Sequence, residues 1–124
     1  MTDGFSETNQ RSVSTEWTDY VEKLLSNFQK GKLNKKQFID FIEKNIQKAK
    51  QIRKEKDNLR RPSDLSDDIA SADELMTEGL IEIEQGLNKL IIYASSKNDS
   101  ELIFAMDDFY KGNEKIVKTI ELTK

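Results

Sequence analysis

Apolar residues recur every three or four positions along almost the whole chain beyond residue 14, and a single proline interrupts the pattern. This spacing places side chains on one face of an α-helix, because successive helical residues are rotated by about 100°. A strand would need apolar residues at alternate positions, and no segment shows that pattern. The sequence therefore predicts an all-α protein in which residues 14–124 form one domain. We expect an antiparallel four-helix bundle with one short and three long helices.

Capping signals set the boundaries of the first two predicted helices. Ser14 or Thr15 is the expected N-cap of the first helix, and Gly31 is placed to end it in a left-handed conformation. Asn34 is the expected N-cap of the second helix. Gln37, three residues later, is in the position for a reciprocal capping box.

The second half of the chain predicts two further helices after the turn at Pro62. The third should extend from about residue 66 to residue 96, with apolar residues close to a heptad repeat, as in a coiled coil. The fourth should begin at Asn98, with Glu101 in the position for a second capping box. Residues 1–13 are polar and show no period, so we expect a disordered tail there.

Two residue types are missing from the chain, and their absence narrows the possible functions. The sequence contains no cysteine and no histidine. This excludes disulfides, thiolate metal sites and Ser-His-Asp triads, and it removes the most common general base. We therefore expect a protein that is not an enzyme and that binds no cofactor or metal.

The location of the protein is predicted from its hydropathy. The chain has no apolar run of about 18 residues, which a membrane-spanning helix would need. Its polar N-terminus has no apolar core of a secretion signal. We expect a small soluble cytoplasmic protein with no membrane partner.

Charge changes sign sharply at Pro62. Residues 32–61 contain eleven basic and four acidic side chains, whereas residues 62–88 contain eight acidic and no basic ones. The interpretation that we favour is intramolecular, with residues 50–61 lying beside residues 64–78 across a helical hairpin. Each exposed ion pair in such a hairpin contributes only a few tenths of a kcal/mol.

Two other interpretations of this charge pattern involve a partner. The acidic segment could contact a basic protein. Alternatively, the basic strip could bind nucleic acid or another anionic surface, although it has no aromatic residue for base stacking. The candidate anion-binding residues are Lys48, Lys50, Arg53, Lys54, Lys56, Arg60 and Arg61.

Two Asp-x-x-Glu pairs are the strongest catalytic candidates in the sequence. Asp19 and Glu22 form one pair, and Asp40 and Glu43 form the other. Paired carboxylates on adjacent helices resemble those of all-α nucleotide pyrophosphohydrolases, which hold magnesium between such pairs. The resemblance implies a magnesium-dependent nucleotide hydrolase as a remote alternative. Both pairs lie off the apolar stripes of their helices, so we expect them to face water.

The last two predicted helices carry more apolar residues than one core face can use. Ile81, Ile92, Ile103, Phe104 and Leu122 all lie well away from the main stripes of their helices. Either the first helix covers these residues, or they form a docking surface for another protein or a second copy of the chain. We favour the docking surface, and a homodimer over a different partner.

Gly79 and Gly86 lie seven residues apart along one edge of the third helix. Each glycine inside a helix costs about 1 kcal/mol relative to alanine. Such a cost favours the hypothesis that another backbone or an inserted side chain approaches closely there. The sequence as a whole predicts a helical protein–protein interaction module, such as an adaptor, a regulator, a chaperone or a small inhibitor.

Overall fold

Four α-helices make up the part of the chain that the computed structural model describes, residues 12–59 and 67–122, with side chains described within residues 16–57 and 71–121. They are α1 (Ser12–Gln29), α2 (Lys35–Leu59), α3 (Asp67–Ser96) and α4 (Asp99–Leu122). No strand occurs in these two segments. The predicted all-α fold of one short and three long helices is confirmed.

The helix boundaries agree with the capping signals except at the start of α1. That helix begins at Ser12, two residues before the first of its two predicted N-caps. The rest of the predicted tail, residues 1–11, lies outside the described residues, and so does the turn at residues 60–66.

The α1–α2 connection has the two capping features that the sequence predicts. Gly31 has a φ of 81°, in the left-handed region that favours glycine. The Asn34 side chain accepts a hydrogen bond from the backbone N–H of Gln37 at 2.8 Å. The Gln37 side chain in turn accepts one from the backbone N–H of Asn34 at 3.0 Å. This reciprocal pair confirms the capping box at the start of α2.

The α3–α4 connection is only two residues long and is capped differently from the prediction. Asn98 caps α4 as expected, since its side-chain oxygen accepts a hydrogen bond from the backbone N–H of Ser100 at 2.8 Å. The backbone N–H of Asn98, however, donates to the Ser96 hydroxyl at 3.1 Å. Ser96 thus takes the role that the sequence assigned to Glu101.

The helices form a closed ring of neighbours in which each packs on the next and α4 packs back on α1. Near one end of the pair, Phe28 of α1 stacks on Phe38 of α2, with ring centroids 4.5 Å apart. Near the other end, Trp17 of α1 contacts Asn45 of α2. Because the residue numbers rise along one helix and fall along the other, α1 and α2 are antiparallel. Short connections impose the same relation on the later helices.

The apolar stripes that predict the helices also form the core. Val21, Phe38, Ile83 and Phe109 are fully buried, and one residue of this group comes from each helix. Tyr20 is an exception, because it lies three residues after Trp17 and four before Leu24, in the apolar stripe of α1, but is 46% exposed. It lies over a shallow groove between α1 and α2. None of the described helices is both long enough and apolar enough to cross a lipid bilayer.

Candidate functional site

Glycines bring α3 and α4 into backbone contact. A Cβ atom built on Gly86 would lie 2.6 Å from the carbonyl oxygen of Ala105 and 2.7 Å from the backbone nitrogen of Phe109. A Cβ atom on Gly79 would lie 2.8 Å from the carbonyl oxygen of Gly112. At Gly112, the added atom would meet the carbonyl oxygen of Gly79. The two helices can approach this closely only because these positions have no side chain.

These glycines belong to a longer seam of small residues. Along α3 the positions are Ala72, Gly79 and Gly86, and along α4 they are Ala105, Gly112 and Thr119, each set spaced by seven. Contacts join Thr119 to Ala72, Gly112 to Gly79 and Ala105 to Gly86. We call these three contacts the glycine seam. It makes α3 and α4 the most closely packed pair in the bundle.

Two ion pairs connect the exposed side of these helices and define how α3 and α4 are aligned. Lys115 contacts Glu82 at 2.9 Å, and Lys89 contacts Asp108 at 2.5 Å. The two pairs are seven residues apart on each helix, and residue numbers rise along α3 in the direction in which they fall along α4. Each paired residue comes three positions after a residue of the glycine seam on its own helix. Because helical side chains lean toward the N-terminus of their own helix, the ends of the side chains on this surface meet in level pairs although their backbones are offset.

The same alignment places Ile92 level with Phe104 at one end of this surface and Glu78 level with Lys118 near the other end. Ile92 is 52% exposed and Phe104 is 60% exposed. Glu78 and Lys118 are also exposed. We call the surface made by these two pairs and the two ion pairs between them the α3–α4 face. Its apolar end and its charged end are thus separate.

The remaining apolar candidates lie elsewhere. Ile103 is 65% exposed, but it is seven residues before Tyr110, whose hydroxyl donates a hydrogen bond to Glu22 of α1. Ile103 therefore lies on the α1 side of α4 rather than on the α3–α4 face. Ile81 is half-buried, and the Leu122 side chain lies outside the described residues. Although α1 packs on α2 and α4, it does not cover Ile92, Ile103 or Phe104, each of which is more than half exposed.

Part of the predicted basic strip of α2 faces acidic residues of α3. Arg53 contacts Glu84 at 3.2 Å, and Lys56 contacts Asp73 at 2.9 Å. Burial disfavours the charged form of Lys56, but hydrogen bonds with Asp57 and Asp73 outweigh it and raise the pKa of Lys56 above its ordinary value. These pairs agree with the intramolecular interpretation of the charge pattern, although Glu84 lies beyond the segment expected to take part.

The other members of the basic strip are arranged separately. Lys48, Lys50 and Lys54 are exposed on α2, and Lys48 lies over the Trp17 ring at 5.2 Å from its centroid. Arg60 and Arg61 lie outside the described residues. The five described candidates therefore divide into two that contact acids of α3 and three that are exposed on α2.

The acidic segment of α3 has a second basic neighbour that the sequence did not indicate. Lys115 of α4 contacts both Glu78 and Glu82, and hydrogen bonding to Glu82 raises the pKa of Lys115 above its ordinary value. The acids of α3 thus pair with α2 on one side and with α4 on the other. The run of acidic residues in the sequence does not reveal which of them face α2 and which face α4, because each helix of a bundle has two neighbours.

The four carboxylates of the Asp-x-x-Glu pairs are all exposed, as expected. Asp40 and Glu43 line an open groove of about 690 Å³ between α2 and α3 that also contains Lys44 and Lys50. Two ammonium groups in one groove weaken its attraction for a divalent cation. Within the described helices, no three acidic side chains gather closely enough to hold a metal ion.

A buried hydrogen bond between α1 and α2 was missed by sequence reasoning. The indole N–H of Trp17 donates to the side-chain oxygen of Asn45 at 2.7 Å, and the Asn45 amide donates to the carbonyl oxygen of Phe41 at 2.8 Å. A signal was present, because Asn45 lies within the apolar stripe of α2. A buried tryptophan also needs an acceptor for its N–H group.

Searches against protein-family models, curated proteins and solved structures found no match to this chain. The surface of the molecule itself is therefore the basis for a functional proposal.

Proposed function

We propose that this chain is a non-catalytic helical module that works through protein–protein contact. Ile92 and Phe104 at the apolar end of the α3–α4 face form the centre of its docking surface, and Ile103 lies beside it on α4. The proposal keeps the cytoplasmic location expected from the sequence. An adaptor, a regulator, a chaperone or a small inhibitor would all act in this way.

One observation supports this proposal most directly. Three large apolar side chains on the α3–α4 hairpin are each more than half exposed, although the bundle already has a fully buried core contributed by all four helices. A single exposed apolar residue is ordinary, whereas several near one turn are typical of contact surfaces. The face that carries Ile92 and Phe104 is also held rigid by the glycine seam, so little order is lost when a partner binds.

The two alternatives have less support. Among the described candidates, nucleic-acid or other anion binding through α2 would depend on Lys48, Lys50 and Lys54, since Arg53 and Lys56 already contact acids. Hydrolysis through the Asp-x-x-Glu pairs would need carboxylates that converge on a metal ion. The interaction module requires neither a separate cluster of free basic side chains nor carboxylates that converge on a metal ion.

The test compares wild type with the double variant Ile92→Glu and Phe104→Glu. Proteins captured from the native host on the immobilised full chain are identified, purified and titrated against both forms. We expect the double variant to lose about 100-fold or more in affinity, because two charges would be buried in an apolar contact. Tyr20→Glu is the matched control, since Tyr20 is similarly exposed on the opposite side of the bundle.

Thermal unfolding of each variant provides the control for folding. Ile92 and Phe104 are exposed, so both forms should unfold at nearly the same temperature. Unchanged affinity in the double variant, at equal stability, would show that the surface is not a docking site. Loss of affinity in Tyr20→Glu alone would move the site to α1 and α2.

A further inference from the structure

The arrangement of charged and apolar groups on the α3–α4 face identifies a specific occupant. We propose that the face binds a second copy of this chain, in a symmetric dimer whose twofold axis is parallel to the helices. This inference rests on the proposed function, because it names the partner of the same surface.

Side chains of α3 and α4 end at the same height in pairs on this face, as the ion pairs of Lys115 with Glu82 and of Lys89 with Asp108 show. When two copies meet face to face, a twofold axis parallel to the helices keeps every residue at its height. It also places α3 of one copy over α4 of the other.

The result is complementary along the whole length of the face. Ile92 of each copy would lie over Phe104 of its partner, so four apolar side chains would be buried together. Glu78 of each copy would lie over Lys118 of its partner, which pairs an exposed acid with an exposed base. The face therefore matches itself in both its apolar and its charged half.

The other symmetric arrangement is mismatched. A twofold axis perpendicular to the helices would reverse the heights about the middle of the face. Ile92 would then lie near Glu78 of the partner, and Phe104 near its Lys118. Each apolar side chain would be buried against a charge that has lost water, which costs free energy. Only the parallel axis avoids this.

The glycine seam contributes to the shape of the contact. In most helix pairs the axes are about 8–10 Å apart, and side chains fill the groove between them. Backbone contact at Gly79 and Gly112, and again at Gly86, draws α3 and α4 together. The groove between the two helices should therefore be shallower than in an ordinary helix pair, which favours close packing against the same surface of a second copy.

The size of the face sets the expected strength. From Glu78 to Ile92 the face is about 21 Å long at 1.5 Å per residue, and two helices make it about 18 Å wide. A contact of roughly 400 Å² on each copy has the size of small, transient interfaces. We therefore expect a reversible dimer with a dissociation constant of about 10–100 μM.

Sedimentation velocity over a concentration series is the first measurement. Wild type should change from monomer to dimer, and the double variant Ile92→Glu and Phe104→Glu should remain monomeric at about 100 times the wild-type dissociation constant. Tyr20→Glu is the matched control. It adds the same charge at a similarly exposed residue on the opposite side of the bundle, so it should dimerise like wild type.

Engineered disulfides test the symmetry, and the chain contains no other cysteine to interfere. Two variants, Ile92→Cys and Phe104→Cys, are oxidised separately and as an equal mixture. The parallel axis brings residue 92 of one copy to residue 104 of the other. The mixture should therefore yield mainly the mixed disulfide, with little dimer from either variant alone. Equal yields in all three samples would overturn the proposed symmetry.

The outcomes separate this inference from the proposed function. If wild type is monomeric throughout the series but a different protein binds it and loses affinity for the double variant, the homodimer is wrong and the interaction module stands. If wild type is monomeric and no binding depends on Ile92 and Phe104, both are wrong. A dimer that the double variant forms equally well also overturns the inference, because the contact would lie on another surface.

Discussion

Replacing Gly86 by alanine should force α3 and α4 apart where their backbones touch. The new Cβ atom would lie 2.6 Å from the carbonyl oxygen of Ala105 and 2.7 Å from the backbone nitrogen of Phe109, whereas ordinary contact distances begin at 3.4 Å. Both neighbouring atoms belong to the backbone of α4, so no side-chain rotation relieves the overlap. The helices would have to separate locally by roughly 0.7 Å, and the core beside them would have to adjust.

Two opposing effects set the magnitude of the change in stability. Forcing extra volume into a packed interior typically costs about 1–3 kcal/mol. A clash with backbone atoms should have a cost near the upper end of this range, because the backbone cannot move aside as a side chain can. Alanine is a better helix former than glycine by about 1 kcal/mol. We therefore expect Gly86→Ala to lower the free energy of unfolding by about 2 kcal/mol. In a chain of this size that change corresponds to a fall in melting temperature of roughly 8 °C.

Thermal and urea unfolding, followed by far-UV circular dichroism, measures this difference. The matched control is Gln85→Ala, which introduces alanine at the exposed neighbouring position of the same helix and should leave stability nearly unchanged. If Gly86→Ala proves as stable as wild type or more stable, helix propensity outweighs the contact. The close approach of the two backbones would then be refuted.

Two further predictions concern hydrogen bonds that involve α1. Burial, together with the hydrogen bond to Glu22, raises the pKa of Tyr110 to about 12. Since the unfolded chain releases this proton nearer pH 10, stability should fall as the pH rises between these values. An ultraviolet titration of wild type against Glu22→Gln should show that Tyr110 ionises at lower pH in the variant, and an unchanged titration would contradict the contact. Asn45→Ala should lower the free energy of unfolding by about 1–3 kcal/mol by leaving the Trp17 N–H without an acceptor. The same change in a Trp17→Phe background should cost less, and an equal cost would show that the hydrogen bond contributes nothing.

The fold could be predicted because spacing of apolar residues and capping chemistry are local properties. Gly31 and the reciprocal pair of Asn34 and Gln37 identify the α1–α2 connection from a few adjacent residues. The start of α1 was placed too late because both Ser14 and Thr15 are good N-caps, and nothing in the sequence indicates that the helix continues past them to Ser12.

The glycine seam shows the limit of local reasoning. Gly79 and Gly86 stand out in the sequence, and Ala105, Gly112 and Thr119 show the same spacing of seven on α4. The sequence does not reveal that these two sets face each other, because their alignment depends on the length and geometry of the turn between the helices. Gly112 therefore had no assigned role until α3 was placed against α4.

The candidate docking surface was predictable in composition but not in shape. Helical periodicity indicates that Ile92 and Phe104 point away from the core, and it indicates the same for Ile103. Which of these three side chains share a face depends on which helix packs beside each side of α3 and α4. The contact of Tyr110 with Glu22 assigns the side of Ile103 to α1, and the contact of Lys89 with Asp108 assigns the side of Phe104 to α3.

The seam and the docking surface are connected physically, and this connection explains why glycines are placed inside two long helices. Each of these glycines costs helix stability, and larger apolar residues at Gly79, Gly86 and Gly112 would fill an ordinary interface between α3 and α4 equally well. Such residues would widen the gap between the helices and leave a groove between Ile92 and Phe104. With glycine, Ile92 and Phe104 lie on two helices whose backbones touch. If these side chains bind a partner as proposed, that contact would offset part of the cost of the glycines.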